Sequence, residues 1–304
     1  MIRSLLAGAI DYAGLFPPAA LPMREAVANY RAYRQGVDAW ALGRFVVPVA
    51  RLPELASAAL AEYPEGPTPD AHWRVSALVS GNGAADLDAI HAFNERYTAA
   101  ATQGWSAAID TVEARGATTA EVEALAAHRD ATIEMFVEVA PDDSMPAVLA
   151  SLSAHRLAAK IRTGGVSEEQ FPSSMQVARF LAECARLSLP FKATAGLHHP
   201  LRASYRLTYE PESAHGTMFG FLNILLAAAA ARAGGDVIEL AQLLDERSAS
   251  ALNFDGNAMR WRDFRFTANE IEAVRSRIAL SFGSCSFEEP LAELRALRLL
   301  EAGA

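Results

Sequence analysis

Apolar residues gather in eight short runs, separated by longer stretches in which they recur every three or four positions. The runs are LLAGAIDYAG (5–14), GRFVVPV (43–49), WRVSALVS (73–80), SAAIDTVEA (106–114), ATIEMFVEVA (131–140), RLAAKIRT (156–163), PFKATAG (190–196) and IALSFGS (278–284). Helical spacing covers 23–35, 53–62, 85–100, 119–128, 144–154, 173–187, 218–246 and 290–301. Short runs, buried on both faces and alternating with helices, predict parallel βα units. Eight such units predict an α/β fold, a (β/α)8 TIM barrel formed by residues 1–304 as a single domain. The absence of GxGxxG after the first run argues against a dinucleotide-binding sheet.

Boundary residues agree with this reading. Gly36 closes the first helix, Pro141 follows the fifth strand, and Thr267 with Glu270 and Ser286 with Glu289 have capping-box spacing. The connection 200–277 is far longer than an ordinary loop–helix–loop, so it is expected to be an insertion between strands seven and eight. It divides into a polar and aromatic loop (200–217), a buried helix pair and a small hairpin around NFDGNAMRW. The loop leaves the strand that carries Lys192, which predicts a lid over the C-terminal mouth, with Tyr205, Arg206, Tyr209 and His215 nearest the site.

Composition narrows the function. With 51% hydrophobic and 21% charged residues among 304, the chain is globular rather than disordered. A net charge of −9 with no basic block excludes a nucleic-acid surface. The most apolar run, MFGFLNILLAAAAA (218–231), falls short of the ~20 residues that span a bilayer and reads as a buried helix, so no membrane partner is expected. Asp11 interrupts the N-terminal apolar run, which reads as mature protein rather than a signal peptide. Two cysteines, Cys184 and Cys285, suit a reducing cytoplasm. The 200–277 insertion is alternatively read as a contact within a homo-oligomer.

The chemistry lies in the strand alternation. In RLAAKIRT, Leu157, Ala159 and Ile161 form the helix-facing set, which turns Ala158, Lys160 and Arg162 into the barrel. In PFKATAG the same parity sends Lys192 and Thr194 inward, and in ATIEMFVEVA it sends Glu134, Phe136 and Glu138 inward. Glu113 on strand four and Asp11 on strand one lie inward near the strand ends, where barrel enzymes build their sites. Two lysines on neighbouring strands would disfavour each other's protonation, and a lysine of lowered pKa is a nucleophile for carbonyl groups. The competing reading is a structural network in which the carboxylates hold the lysines protonated. A carboxylate within hydrogen-bond reach of Lys160 would favour that salt-bridge or binding reading.

KIRTGG (160–165), KATAG (192–196) and GSCS (283–286) resemble the motifs of the class I deoxyribose-phosphate aldolases. The resemblance implies a Schiff base at Lys160, a lowering of its pKa by Lys192, and a phosphate held by loops after strands seven and eight. It covers about a tenth of the chain. Arg162 departs from the family's small hydroxyl residue, the 200–277 insertion has no counterpart there, and Glu288 and Glu289 would compete with a phosphate at the last helix.

Together these features predict a lyase, aldolase-like, acting on a small, oxygenated, anionic carbonyl compound without a cofactor. Lys160, Lys192, Glu138 and Glu113 are the candidate catalytic residues, and Asp11, Arg162, Thr194, His198, His199 and Ser284 the candidate substrate contacts. One alternative is a metal-dependent isomerase or hydrolase, with His198 or His199 joining Asp11, Glu113 and Glu138. Another is a non-catalytic barrel that binds an anionic metabolite. DYAGLFPPA (11–19) is read either as a pocket wall or as a hydrophobic plug, VSGNGA (79–84) as a turn, Cys285 as a small residue in a tight turn, and Cys184 as core.

Overall fold

The computed structural model describes residues 1–64, 68, 70–81, 83–98, 104–255 and 257–301. Eight parallel strands close into a barrel: β1 (Ile10–Tyr12), β2 (Leu42–Pro48), β3 (His72–Leu78), β4 (Ser106–Arg115), β5 (Glu134–Glu138), β6 (Ala158–Arg162), β7 (Phe191–Thr194) and β8 (Ala279–Ser284). Each pairs with its sequence neighbours, and β8 closes on β1 through Ile10–Phe282, Asp11–Gly283 and Tyr12–Ser284. Helices alternate with the strands, as the (β/α)8 pattern predicts. On β6 the outward residues Ala159 and Ile161 are fully buried beneath the helices.

The first run is shorter as a strand than its apolarity suggests. Ile2–Leu6 is a helix, Gly8 turns the chain with φ of 59°, and only Ile10–Tyr12 pairs in the sheet. Leu5 and Leu6 are buried there, so the apolar signal came from packing rather than from β structure. The capping box at Thr267–Glu270 forms in full. That at Ser286–Glu289 forms by half: Ser286 Oγ accepts from the Glu289 amide at 3.1 Å, while the Glu289 carboxylate accepts from Tyr209 at 3.2 Å instead. The helix predicted over 85–100 runs Gly83–Tyr97, and residues 99 and 100, like Asn82 of VSGNGA, lie outside the described residues.

Residues 200–277 hold two additions around one barrel helix. Helix Phe221–Arg232 packs its Phe221 ring on Phe282 of β8, with centroids 5.0 Å apart, and takes the place of the seventh barrel helix. It is buried along nearly its whole length. Its Asn223 is satisfied by donating to the Leu243 and Glu246 carbonyls and accepting from the Arg202 amide. Before this helix comes an antiparallel hairpin, Ala203–Arg206 with His215–Met218. After it comes helix Val237–Leu244, then a three-stranded sheet of Asn253–Asp255, Ala258–Trp261 and Phe264–Thr267, larger than the single hairpin predicted. Gly256 of that hairpin lies outside the described residues. Among the described residues no helix is long and apolar enough to cross a membrane.

Candidate active site

Strand alternation brings five charged side chains together inside the barrel. Lys192 Nζ donates to Asp11 Oδ2 and to Glu113 Oε1, each at 2.7 Å. Lys160 Nζ lies 3.0 Å from Glu113 Oε2 and 2.9 Å from Glu138 Oε2. The result is an alternating chain, Asp11–Lys192–Glu113–Lys160–Glu138, with Glu113 inserted between the two ammonium groups. Parallel register sets this up, since Lys160 lies level with Lys192 on β7 and with Glu138 on β5.

The polar atoms left over in the chain find partners from strands that carried no charge signal. Ser76 Oγ on β3 donates to Glu113 Oε1 and Ser281 Oγ on β8 donates to Asp11 Oδ2, each at 2.7 Å. The Arg44 amide donates to Asp11 Oδ1 at 2.8 Å, and a Cβ on the preceding Gly43 would collide with that oxygen. The Phe136 ring faces the Lys192 ammonium at 5.7 Å. Serine on a strand is too ordinary to be singled out by sequence, and these contacts are set by the radius of the closed barrel.

The electrostatics follow from this arrangement. Burial pushes the Glu113 carboxyl upward, but the Lys192 and Lys160 ammoniums and the hydrogen bonds from Lys192 and Ser76 outweigh it, leaving Glu113 far below the usual carboxylate range. Burial alone would lower Lys192, whereas Asp11 and Glu113 hold it above its ordinary value. The predicted mutual lowering of the lysines therefore fails at Lys192, because Glu113 lies between the cations. Two carboxylates lie within hydrogen-bond reach of Lys160, the contact that favours the salt-bridge or binding reading.

Above this floor lies a cavity of about 350 Å³ at the C-terminal ends of the strands. Glu113, Lys160 and Lys192 form its floor, with Arg162 and Thr194 higher on the same faces. Phe16, Pro17 and Pro18 of the β1 loop and Leu207 and Met218 of the hairpin close over it, so that loop serves as a pocket wall. Asp11 is buried behind Lys192, and Tyr12 belongs to an aromatic cluster with Tyr30, Tyr33 and Phe45. The hairpin covers the mouth as expected, although with different side chains. Tyr205 and Arg206 border a neighbouring cavity of about 200 Å³, His215 is exposed, and Tyr209 OH reaches Cys285 Sγ at 3.5 Å and Glu289 Oε2 at 3.2 Å.

The histidines separate, as adjacent residues in extended chain do. His198 lines the main cavity, with Nδ1 3.3 Å from Ser284 Oγ and 3.7 Å from Cys285 Sγ. Ser284 is thus a buried support of His198. Burial, with a smaller contribution from His199, pushes His198 down to about 4, so its 3.7 Å approach to Glu289 is not an ion pair at neutral pH. Burial raises the Cys285 thiol, which is therefore not a resting thiolate. His199 stacks on Tyr205 and pairs with Glu293 at 2.6 Å. Neither histidine is bonded to Asp11, Glu113 or Glu138. Among the described residues the group of three whose ligand atoms could meet a metal is His199, Glu289 and Glu293, outside the lysine floor. Sequence reading did not single out Glu293, which lies on the last helix.

No protein-family model, no curated protein and no solved structure matches the chain.

Proposed function

We propose that this barrel is an enzyme that makes or breaks a bond next to the carbonyl of a small oxygenated compound through an enolate, with lyase or isomerase outcome. The observation that supports it is Lys160: the ammonium it presents to the cavity is gripped by two carboxylates at 2.9 and 3.0 Å. A carboxylate removes a proton from the carbon beside the carbonyl, or from a β-hydroxyl group so that the carbon–carbon bond breaks. Either way the electron pair moves onto the carbonyl oxygen, and the Lys160 ammonium stabilises the negative charge that forms there. The proton then returns to the enolate carbon. Glu138 suits the proton-accepting role, because it contacts Lys160 and, at 3.9 Å, only the exposed Arg115, whereas Glu113 is buried between both lysines and is a weak base.

A covalent route through a Lys160 Schiff base is the second reading, favoured by the level pairing of Lys160 with Lys192. It requires Lys160 to lose its proton first, against two carboxylates. Incubation with small aldehydes and ketones in D2O, followed by NMR, tests the first reading. Deuterium incorporation or cleavage is expected, falling ~100-fold or more in Lys160→Met and Glu138→Gln. Borohydride added in parallel should leave no adduct by mass analysis. An adduct on Lys160 would transfer the mechanism to the Schiff base. No exchange and no cleavage across the panel would leave a metabolite-binding barrel.

A further inference from the structure

The lysine floor carries three carboxylates against two ammoniums, so it repels an anion more than it attracts one. Among the described residues that line the cavity, Arg162 is the cation above it. Arg162 lies two residues beyond Lys160 on the same face of β6, ~6.6 Å nearer the mouth, level with Thr194 on β7. Both line the cavity. Among the described residues no carboxylate pairs with the Arg162 guanidinium, in contrast to Arg44, Arg202 and Arg295, which all do. The remaining upper wall is mostly apolar, and His198 is neutral above pH 6.5.

We infer that Arg162 and Thr194 form an anion subsite, and that the substrate is a short oxo acid whose carboxylate docks there while its carbonyl oxygen meets Lys160. This rests on the function proposed above. One planar guanidinium matches a singly charged carboxylate, held by two parallel N–H donors, and the Thr194 hydroxyl beside it would exchange its long 3.4 Å bond to the Ile161 carbonyl for the ligand. A phosphate monoester is a poorer match. The last helix places Glu288 and Glu289 in its first turn, and β7 is followed by a hairpin rather than by a helix N-terminus. The spacing between Lys160 and Arg162 on one strand face places the carbonyl within about three carbons of the carboxylate. In a chain of net charge −9, this local cation is also what admits an anion to the mouth.

The test is calorimetric binding of 2-, 3- and 4-oxo acids of three to six carbons, their methyl esters, and a phosphate monoester of a hydroxyketone. Wild type, Arg162→Gln and Arg162→Lys are compared after thermal melting confirms that each is folded. At least one oxo acid should bind, with its ester weaker. Arg162→Gln should weaken the acid ~10- to 100-fold, and Arg162→Lys should recover some of the loss. Binding that ignores Arg162, equal binding of acid and ester, tighter Arg162-dependent binding of the phosphate, or no binding by any acid each overturns the inference. Binding requires no turnover, which separates the two claims. Arg162-dependent binding without proton exchange sinks the catalytic reading alone, and exchange on oxo acids that is indifferent to Arg162→Gln sinks the oxo-acid subsite alone.

Discussion

Lys192 and Lys160 look alike in the sequence and differ in what surrounds them. Lys192 is fully buried on the cavity floor between Asp11 and Glu113, whereas Lys160 beside it keeps 6% exposure and pairs with the partly exposed Glu138. Removing one partner of a buried pair leaves the other charge uncompensated. Lys192→Met should therefore lower unfolding stability by ~3–5 kcal/mol, and Lys160→Met by clearly less, because Glu138 keeps 15% side-chain exposure through which water can solvate it. Urea denaturation midpoints of the two variants decide it. Equal losses would mean that the two lysines are equally buried. Period-two alternation on strands five to seven was enough to turn Glu138, Lys160, Arg162, Lys192 and Thr194 inward, since each run has an apolar outer set to fix the parity. It was not enough to pair them. That Glu113 separates the lysines depends on how β4 faces β6 and β7 across the barrel, a distance that no local pattern encodes.

The roof is built from elements whose sequence signal is weaker. The segment 200–217 was recognisable as a lid from its position after β7. Its polar and aromatic residues were expected to face the site, yet in the hairpin Leu207 and Met218 take the cavity side and the polar residues face the neighbouring cavity or solvent. Apolar side chains cover an apolar upper wall, which is the ordinary preference for burial. Tyr209 fastens this hairpin to Cys285 and Glu289. Tyr209→Phe removes both bonds, so Cys285, 5% exposed in the closed arrangement, should react several-fold faster with a thiol reagent. Cys184 in the core is the internal control and should stay unreactive. An unchanged rate would show that the hairpin does not guard Cys285. The last helix carries a related lesson: its capping spacing was legible, but Glu289 is drawn to Tyr209, and a tertiary contact displaces the local one.

At the scale of the whole molecule, buried titrating groups set the response to pH. His198 has its pKa lowered to about 4 from an ordinary value near 6.5. Between those values the unfolded chain binds a proton that the native state refuses, so stability falls as pH drops through this window. Glu113, depressed in the native state, gives stability that is present above the ordinary carboxylate value and is lost at more acid pH. Lys192 is raised, and its contribution persists until pH climbs above the ordinary lysine value. Chemical denaturation from pH 8 to pH 4 should therefore show a decline beginning near 6.5, flattened in His198→Gln. A variant that declines as steeply as wild type would place the proton elsewhere. The barrel itself was legible because eight runs and their helices repeat one unit. The exception at β1, where Leu5 and Leu6 belong to a helix, arises because burial in a helix and burial in a strand leave the same mark on a short apolar run.

The alternating charge chain has a consequence for how the protein assembles. Its acids, Asp11, Glu113 and Glu138, all come from strands one to five, and its bases, Lys160 and Lys192, both come from strands six and seven. Before closure, the N-terminal strands would gather three negative charges that repel one another, and the C-terminal strands would gather a pair of positive ones. Only when β8 meets β1 and the ring is complete does Lys192 reach Asp11, 181 residues away in sequence. Neighbouring strands already pair Lys160 with Glu138, and closure adds the Lys192–Asp11 contact that ends the charge chain. A β8–β1 seam closed one residue out of step would turn Asp11 away from Lys192 and leave that buried ammonium one counter-charge short, so the site itself penalises misassembly of the barrel.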